Sequence, residues 1–298
     1  MNTTTARIES LSAVVPSREA LIAFEADVEH KFVLNADTKI HYAAAGEGTL
    51  LIFIHGFPDY WLGWWQQMSD LRSHYRVVAI DLRGYNLSDK PESLDAYEIR
   101  NVIEDLREVI RAEGATSATL VGHDWGGLIA WYAAMDAPEL VDRLVVINMA
   151  HPWGLARDLA SSASQRTASE YVRLFRNPLA HTQIPLERLS VWIRDVAYKA
   201  RHVEAMKASS LVGMLNYYRA NWPTEPYKEI PHEPTRVKVK TLVIYGRQDV
   251  FLLPSALSNT WNWVDNELTV LTLPSVGHFA QHDAPERVNQ AIRNWLAD

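Results

Sequence analysis

Short apolar runs alternate with amphipathic stretches along most of this chain. Leu50–His55, Arg76–Leu82, Ala118–His123 and Arg143–Asn148 are largely apolar segments of strand length. His30–Asn35 and Lys39–Ala44 instead alternate apolar and polar residues, as half-buried strands do, and are separated by the turn-like Ala36-Asp37-Thr38. Between these runs, Trp61–Ser73, Tyr97–Glu113 and Trp125–Asp136 carry helical spacing, and the second stops at Gly114. Buried strands alternating with helices predict a mostly parallel sheet flanked by helices on both faces. From residue 151 to 233 the rhythm changes: Arg, Ser, Trp and Tyr abound, and the pattern predicts helices without strands. After Pro231 and Pro234 the alternation returns, with strands at Thr241–Tyr245 and Leu268–Leu273 and a closing helix at Pro285–Leu296. The predicted organisation is an N-terminal arm (1–28), an α/β core (29–150 and 234–298) and an inserted helical cap (151–233).

Composition narrows this picture only a little. The formal net charge of −7 argues against nucleic acid, whose phosphates need a basic face. Cysteine is absent, which excludes disulfides and cysteine metal sites. The histidines at 151, 181, 202 and 282 lack metal-ligand spacing, so no metal is expected. No stretch reaches the ~18 apolar residues of a membrane span, and no signal-peptide pattern opens the chain, so a cytoplasmic location is expected. The 11 tryptophans fit core packing and also an aromatic pocket for an apolar ligand.

The chemistry concentrates where strand Ala118–Val121 runs into Gly122-His123-Asp124-Trp125-Gly126-Gly127 and then a helix. A strand–turn–helix with glycines flanking the central residue is the context of a nucleophile elbow, and Asp124 stands at the centre. The residue type selects the reaction. A carboxylate attacking an ester would give an anhydride, a poor intermediate. A carboxylate attacking saturated carbon gives an alkyl ester that water can cleave at the enzyme's own carbonyl. Asp124 therefore implies displacement at sp3 carbon, then hydrolysis.

The second step needs a base and an oxyanion hole. His278 and Asp249 each follow a predicted strand, so both belong on the rim where Asp124 lies. His278 is the candidate base and Asp249 the residue that orients it. The oxyanion donors expected are the backbone N–H groups of Trp125 and of Phe57, in His55-Gly56-Phe57-Pro58. His55 is expected to hold this loop, and His123 to pack beneath the elbow. Alone, Gly-x-Asp-x-Gly is an ordinary turn; with the upstream loop, Asp249 and His278 in order, it becomes specific.

With these residues in hand, the chain resembles the α/β-hydrolase-fold epoxide hydrolases from about His30 to the end, with haloalkane dehalogenases close behind. His55–Pro58 looks like the family's oxyanion motif, whose proline peptide is often cis. Asp81–Pro91 looks like the family loop after the fourth strand, with Asn86 in place of the usual glycine. The resemblance implies two cap tyrosines that protonate the epoxide oxygen. Tyr171 and Tyr218 match those positions, and Tyr217 is the alternative if the register slips by one. It also implies substrate contacts from Trp125, Phe57, Pro58 and Tyr217. The expected activity converts a small apolar epoxide and water to a vicinal diol, without a cofactor.

Two rival readings differ in leaving group or in kind. A haloalkane dehalogenase needs N–H donors around a halide: Trp125 with a cap tryptophan (Trp153, Trp192 or Trp222), since Phe57 stands where its asparagine would. A non-catalytic ligand receptor needs only the pocket. The cap tryptophans also leave a homodimer open.

Overall fold

The computed structural model describes residues 18–298. Its sheet contains β1 (Glu29–Asn35), β2 (Thr38–Ala45), β3 (Thr49–Ile54), β4 (Tyr75–Ile80), β5 (Ala118–His123), β6 (Val141–Ile147), β7 (Lys240–Gly246) and β8 (Leu268–Leu273). The strand order is β1-β2-β4-β3-β5-β6-β7-β8. β2 runs antiparallel to both its neighbours, and every pairing from β4 across to β8 is parallel. Leu51–Ile54 of β3 are wholly buried, as their unbroken apolar run predicts for a central strand covered on both faces. β1 lies at an edge and alternates in exposure, as its half-polar pattern predicts.

The helices fall into two packed groups. α2 (Trp65–Leu71) packs with α11 (Pro285–Ala297); α3 (Ile99–Ala112) packs with α4 (Trp125–Asp136), which lies on β5 and β6. Of the predicted arm, residues 1–17 lie outside the described residues. The remainder contains α1 (Arg18–Asp27), which buries Leu21 and Phe24, the latter against Trp61 and Trp65.

Several predicted boundaries shift for local reasons. The Trp61–Ser73 helix begins as a 3-10 turn at Trp61–Trp64. The helix predicted from Tyr97 starts at Ile99, because Glu98 is extended (ψ 140°). The strand predicted to end at Asn148 ends at Ile147, because Asn148 has φ 46° and a left-handed residue cannot continue the ladder.

Between β6 and β7 come α5 (Pro152–Ser161), α6 (Ala163–Ala168), α7 (Tyr171–Arg176), α8 (Val196–Ala208), α9 (Leu211–Asn221) and short 3-10 turns, with no strand among residues 151–233. α9 is pinned along its length to the core. The N–H of Ser210 donates to Gly84 at 2.8 Å, the N–H of Asn86 to Ser209 Oγ at 2.7 Å, and the Tyr217 hydroxyl to the Arg83 carbonyl at 3.0 Å. Asn221 caps the far end, accepting from the Ile99 N–H at 3.1 Å and donating to Tyr97 O at 2.9 Å. Asn86 has φ 38°, the left-handed backbone for which asparagine is the best substitute for glycine.

Arg83 is itself held by a buried, two-pronged ion pair: Nε to Asp105 Oδ2 at 2.9 Å and Nη2 to Oδ1 at 2.6 Å, with Asn35 Nδ2 also on Oδ1 at 2.8 Å. Asp105→Ala strands a guanidinium that cannot deprotonate. It is expected to cost roughly 3–5 kcal/mol in chemical denaturation. A loss below 1 kcal/mol would mean that water reaches Arg83.

Candidate active site

The strand order reverses at β3, which has β4 on one side and β5 on the other. In an open parallel sheet the crevice for ligands opens there, beyond the carboxyl ends of the strands. Phe57 follows β3 and Asp124 follows β5, so both lie at that crevice. Asp124 has φ 51° and ψ −121°, a strained conformation for a non-glycine residue, and α4 starts directly after it. The turn is tight enough that a Cβ on Gly126 would lie 2.0 Å from the carbonyl oxygen of Ile54.

The two oxygens of Asp124 meet different partners. Oδ1 accepts the Phe57 N–H at 2.8 Å, while Oδ2 lies 3.4 Å from His278 Nε2. His278 Nδ1 bonds Asp249 Oδ2 at 2.7 Å. Asp249 Oδ1 accepts the N–H groups of Phe251 and Leu252 at 2.9 and 3.0 Å. Trp125 opens α4, where a backbone N–H has no acceptor within the helix. The Phe57–Pro58 peptide is cis.

Burial opposes charge on both carboxylates, yet the charge and hydrogen bonds of His278 hold Asp124 and Asp249 below the usual carboxylate range. Burial also opposes charge on His278, but Asp249 and Asp124 outweigh it and raise the imidazole to about 10. The resting centre is therefore two carboxylates around one imidazolium. His123 stays neutral beside it, pushed down to about 4 by burial and by the charge of His278.

Aromatic rings surround the Asp124 carboxylate. Tyr218 meets Trp125 edge-on at 4.9 Å, Phe57 at 5.6 Å and Phe175 at 5.1 Å. Tyr171 meets Tyr218 at 6.1 Å and Phe251 at 5.5 Å. Burial and the nearby negative charge of Asp124 raise both phenols well above their ordinary value, so both hold their protons. Tyr217 faces elsewhere: its hydroxyl is spent on Arg83, and its ring packs against Tyr97 at 5.4 Å as well as Trp125 at 5.9 Å. The Trp153 indole donates to His232 O and that of Trp192 to Leu189 O, which leaves only Trp222 Nε1 unpartnered among these three.

The residues that support the centre carry weak sequence signals. His55 holds its loop, with Nδ1 on Gly56 O at 2.9 Å and Nε2 accepting the Leu82 N–H at 3.0 Å. His123 does more than pack under the elbow, because its Nε2 bonds the His278 carbonyl at 2.9 Å. In the sequence Asn148 is only a strand end. Its Nδ2 donates to Asp249 Oδ2 at 2.9 Å and its Oδ1 accepts the Gly246 N–H at 3.1 Å. Its one sequence signal is an asparagine at the carboxyl end of a predicted core strand. Phe175 and Phe251 gave no signal beyond being aromatic.

Residues 49–285 match the α/β hydrolase fold family. The chain is 33% identical to epoxide hydrolase 3 of Xenopus tropicalis over 94% of its own length and 81% of that protein. It is 30% identical to human epoxide hydrolase 4, covering 89% and 78% of the two chains. Its fold superposes on the crystal structure of a Bacillus megaterium epoxide hydrolase bound to an inhibitor, with a TM-score of 0.83, 31% identity and coverage of 90% and 100%. This chain belongs to the α/β-hydrolase fold family and, within it, to the epoxide hydrolases.

Proposed function

We propose that this chain hydrolyses an apolar epoxide to a vicinal diol through an alkyl ester on Asp124. The observation that carries this is the division of labour between the Asp124 oxygens. Oδ1, held by the Phe57 N–H at 2.8 Å, is placed to become an oxyanion, and Oδ2 beside His278 is free to attack.

In the first step Oδ2 forms a bond to a ring carbon as the C–O bond breaks. Tyr218 and Tyr171 supply the proton that makes the departing oxygen a hydroxyl. Once Asp124 is a neutral ester, His278 loses one of the two anions that kept it charged. Its proton then restores the tyrosinate, and the neutral imidazole can act as a base. His278 next takes a proton from water, and the hydroxide adds to the Asp124 carbonyl. The negative charge on Oδ1 rests on the N–H groups of Phe57 and Trp125. Collapse expels the diol oxygen, which takes its proton from His278, and the new carboxyl group returns its own proton to His278. The resting charges are restored and no cofactor enters the balance. Residues 151–233 act as the cap that brings the two tyrosines over the core formed by 29–150 and 234–298.

Dehalogenation remains a second reading on one observation: the unpartnered Trp222 indole lies with its ring 6.4 Å from that of Trp125. Side-by-side assay of styrene oxide and 1-bromobutane separates the two. Diol without bromide is expected; bromide without diol would overturn the epoxide reading.

Asp124→Ala is expected to abolish turnover. His278→Gln should accumulate an adduct on the Asp124 peptide, seen by mass spectrometry, and steady turnover by that variant would refute the water-activation step. Tyr218→Phe and Tyr171→Phe should each lower kcat by about 10²-fold, within the range for general acids, whereas Tyr217→Phe should leave kcat nearly unchanged. Equal losses at Tyr217 and Tyr218 would sink the donor assignment. In NMR titrations of labelled histidine, His278 should stay protonated to about pH 10. In Asp124→Asn the loss of a negative neighbour destabilises the imidazolium, so its pKa should fall; an unmoved titration would contradict the proton return described above.

A further inference from the structure

Asp59 is a buried carboxylate, 1% exposed, that takes no part in the steps above. It lies two residues beyond Phe57, and three separate parts of the chain converge on it. Within its own loop, the Asp59 N–H donates to Gly56 O at 3.0 Å and Oδ1 accepts the Tyr60 N–H at 2.9 Å. From α8, the Tyr198 hydroxyl donates to Oδ1. From α10 (Ala280–Asp283), the short helix after His278, His282 Nε2 meets Oδ2 at 2.9 Å. The carboxylate also requires Gly63, where a Cβ would lie 2.4 Å from Oδ2.

A second thread runs in parallel. His202 of α8 bonds the Pro58 carbonyl at 2.6 Å, and Ser190 Oγ holds the other nitrogen of His202 at 2.8 Å. Trp192 stacks on Phe279 at 3.7 Å and meets His282 at 4.9 Å. The Phe57 N–H belongs to the Gly56–Phe57 peptide, whose carbonyl accepts the Asp59 N–H at 3.0 Å, and α10 begins just after His278, at Ala280. Burial opposes charge on Asp59, yet the charge and hydrogen bond of His282 outweigh it and hold the carboxyl at about 2.

We propose that Asp59 is a positioning residue that sets the Phe57 N–H in register with His278 and makes that register depend on a seated 151–233 segment. The inference rests on the oxyanion role given to Phe57 above. A carboxylate suits the task because it can accept from three directions at once, which no neutral side chain of its size can do. Small misplacement of an oxyanion donor is costly, since removing one such donor lowers kcat by about 10²–10³. A loosened register should therefore slow ester hydrolysis with little change in substrate affinity.

The test perturbs the partners, which risks the fold less than removing Asp59. His282→Ala and Tyr198→Phe are compared with His282→Gln, which keeps an N–H donor. Each is followed by single-turnover formation and decay of the Asp124 ester, steady-state kinetics and thermal melting. Ester decay and kcat should fall about tenfold or more in His282→Ala and less in Tyr198→Phe. KM should fall in proportion to kcat, leaving kcat/KM within about twofold, the melting temperature should stay within a few degrees, and His282→Gln should recover most of the rate. Wild-type ester decay in both His282→Ala and Tyr198→Phe would overturn the proposal. So would losses that track melting temperature, or no recovery in His282→Gln. If no ester forms on Asp124 even in His278→Gln, the underlying mechanism has failed instead.

Discussion

Two buried carboxylates sharing one buried imidazole is the arrangement on which the rest of this molecule depends. Removing charges from water is expensive, and each ion here is kept only because its neighbours compensate it. Asp249 has two backbone N–H groups, Asn148 and His278; Asp124 has Phe57 and His278. The protein thereby holds the Asp124 carboxylate charged although it is buried.

The sheet meets this requirement through topology. Reversal of strand order at β3 leaves a crevice, and the ends of β3, β5, β7 and β8 bring Phe57, Asp124, Asp249 and His278 to it. These residues are far apart in the chain, but each follows the carboxyl end of a strand of the same sheet by a few residues, and that brings them together. The strain in Asp124 is borne by the packing around it: a left-handed residue between a fully buried strand and a nearly all-buried helix has nowhere to relax.

Tyr171 and Tyr218 come from residues 151–233, whose placement relies on polar ties to the sheet-bearing part rather than on sheet pairing. Tyr217 and Tyr218 show the consequence. They are neighbours on one helix, yet the bond from Tyr217 to Arg83 turns one toward the core and leaves the other facing Trp125 and Phe57. Arg83 in turn stands on its ion pair with Asp105, so the register of a site tyrosine traces back to a buried salt bridge.

The pattern of residues alone specified the alternation of strands and helices, the elbow with its carboxylate, and the two residues, Asp249 and His278, that follow later strands to the same rim. All of these are local or periodic signals: strand and helix periods differ, and a strained turn between strand and helix admits few residue types. It also pointed to displacement at saturated carbon, because a carboxylate at the elbow suits that step, while the leaving group depends on the donors around it. What it left open were the residues that work through contacts between distant segments. Asn148 reads as a strand end, Asp59 as the residue after a proline, and His123 as packing, until β6 meets β7, α8 meets the β3 loop, and the elbow meets the His278 loop. Tyrosines 217 and 218 are equivalent to any periodicity argument, since adjacent helical positions differ by about a quarter turn and only the partner helix or loop decides which faces the site. Those choices belong to tertiary structure because a hydrogen bond is defined by two positions, and a sequence states only one of them at a time.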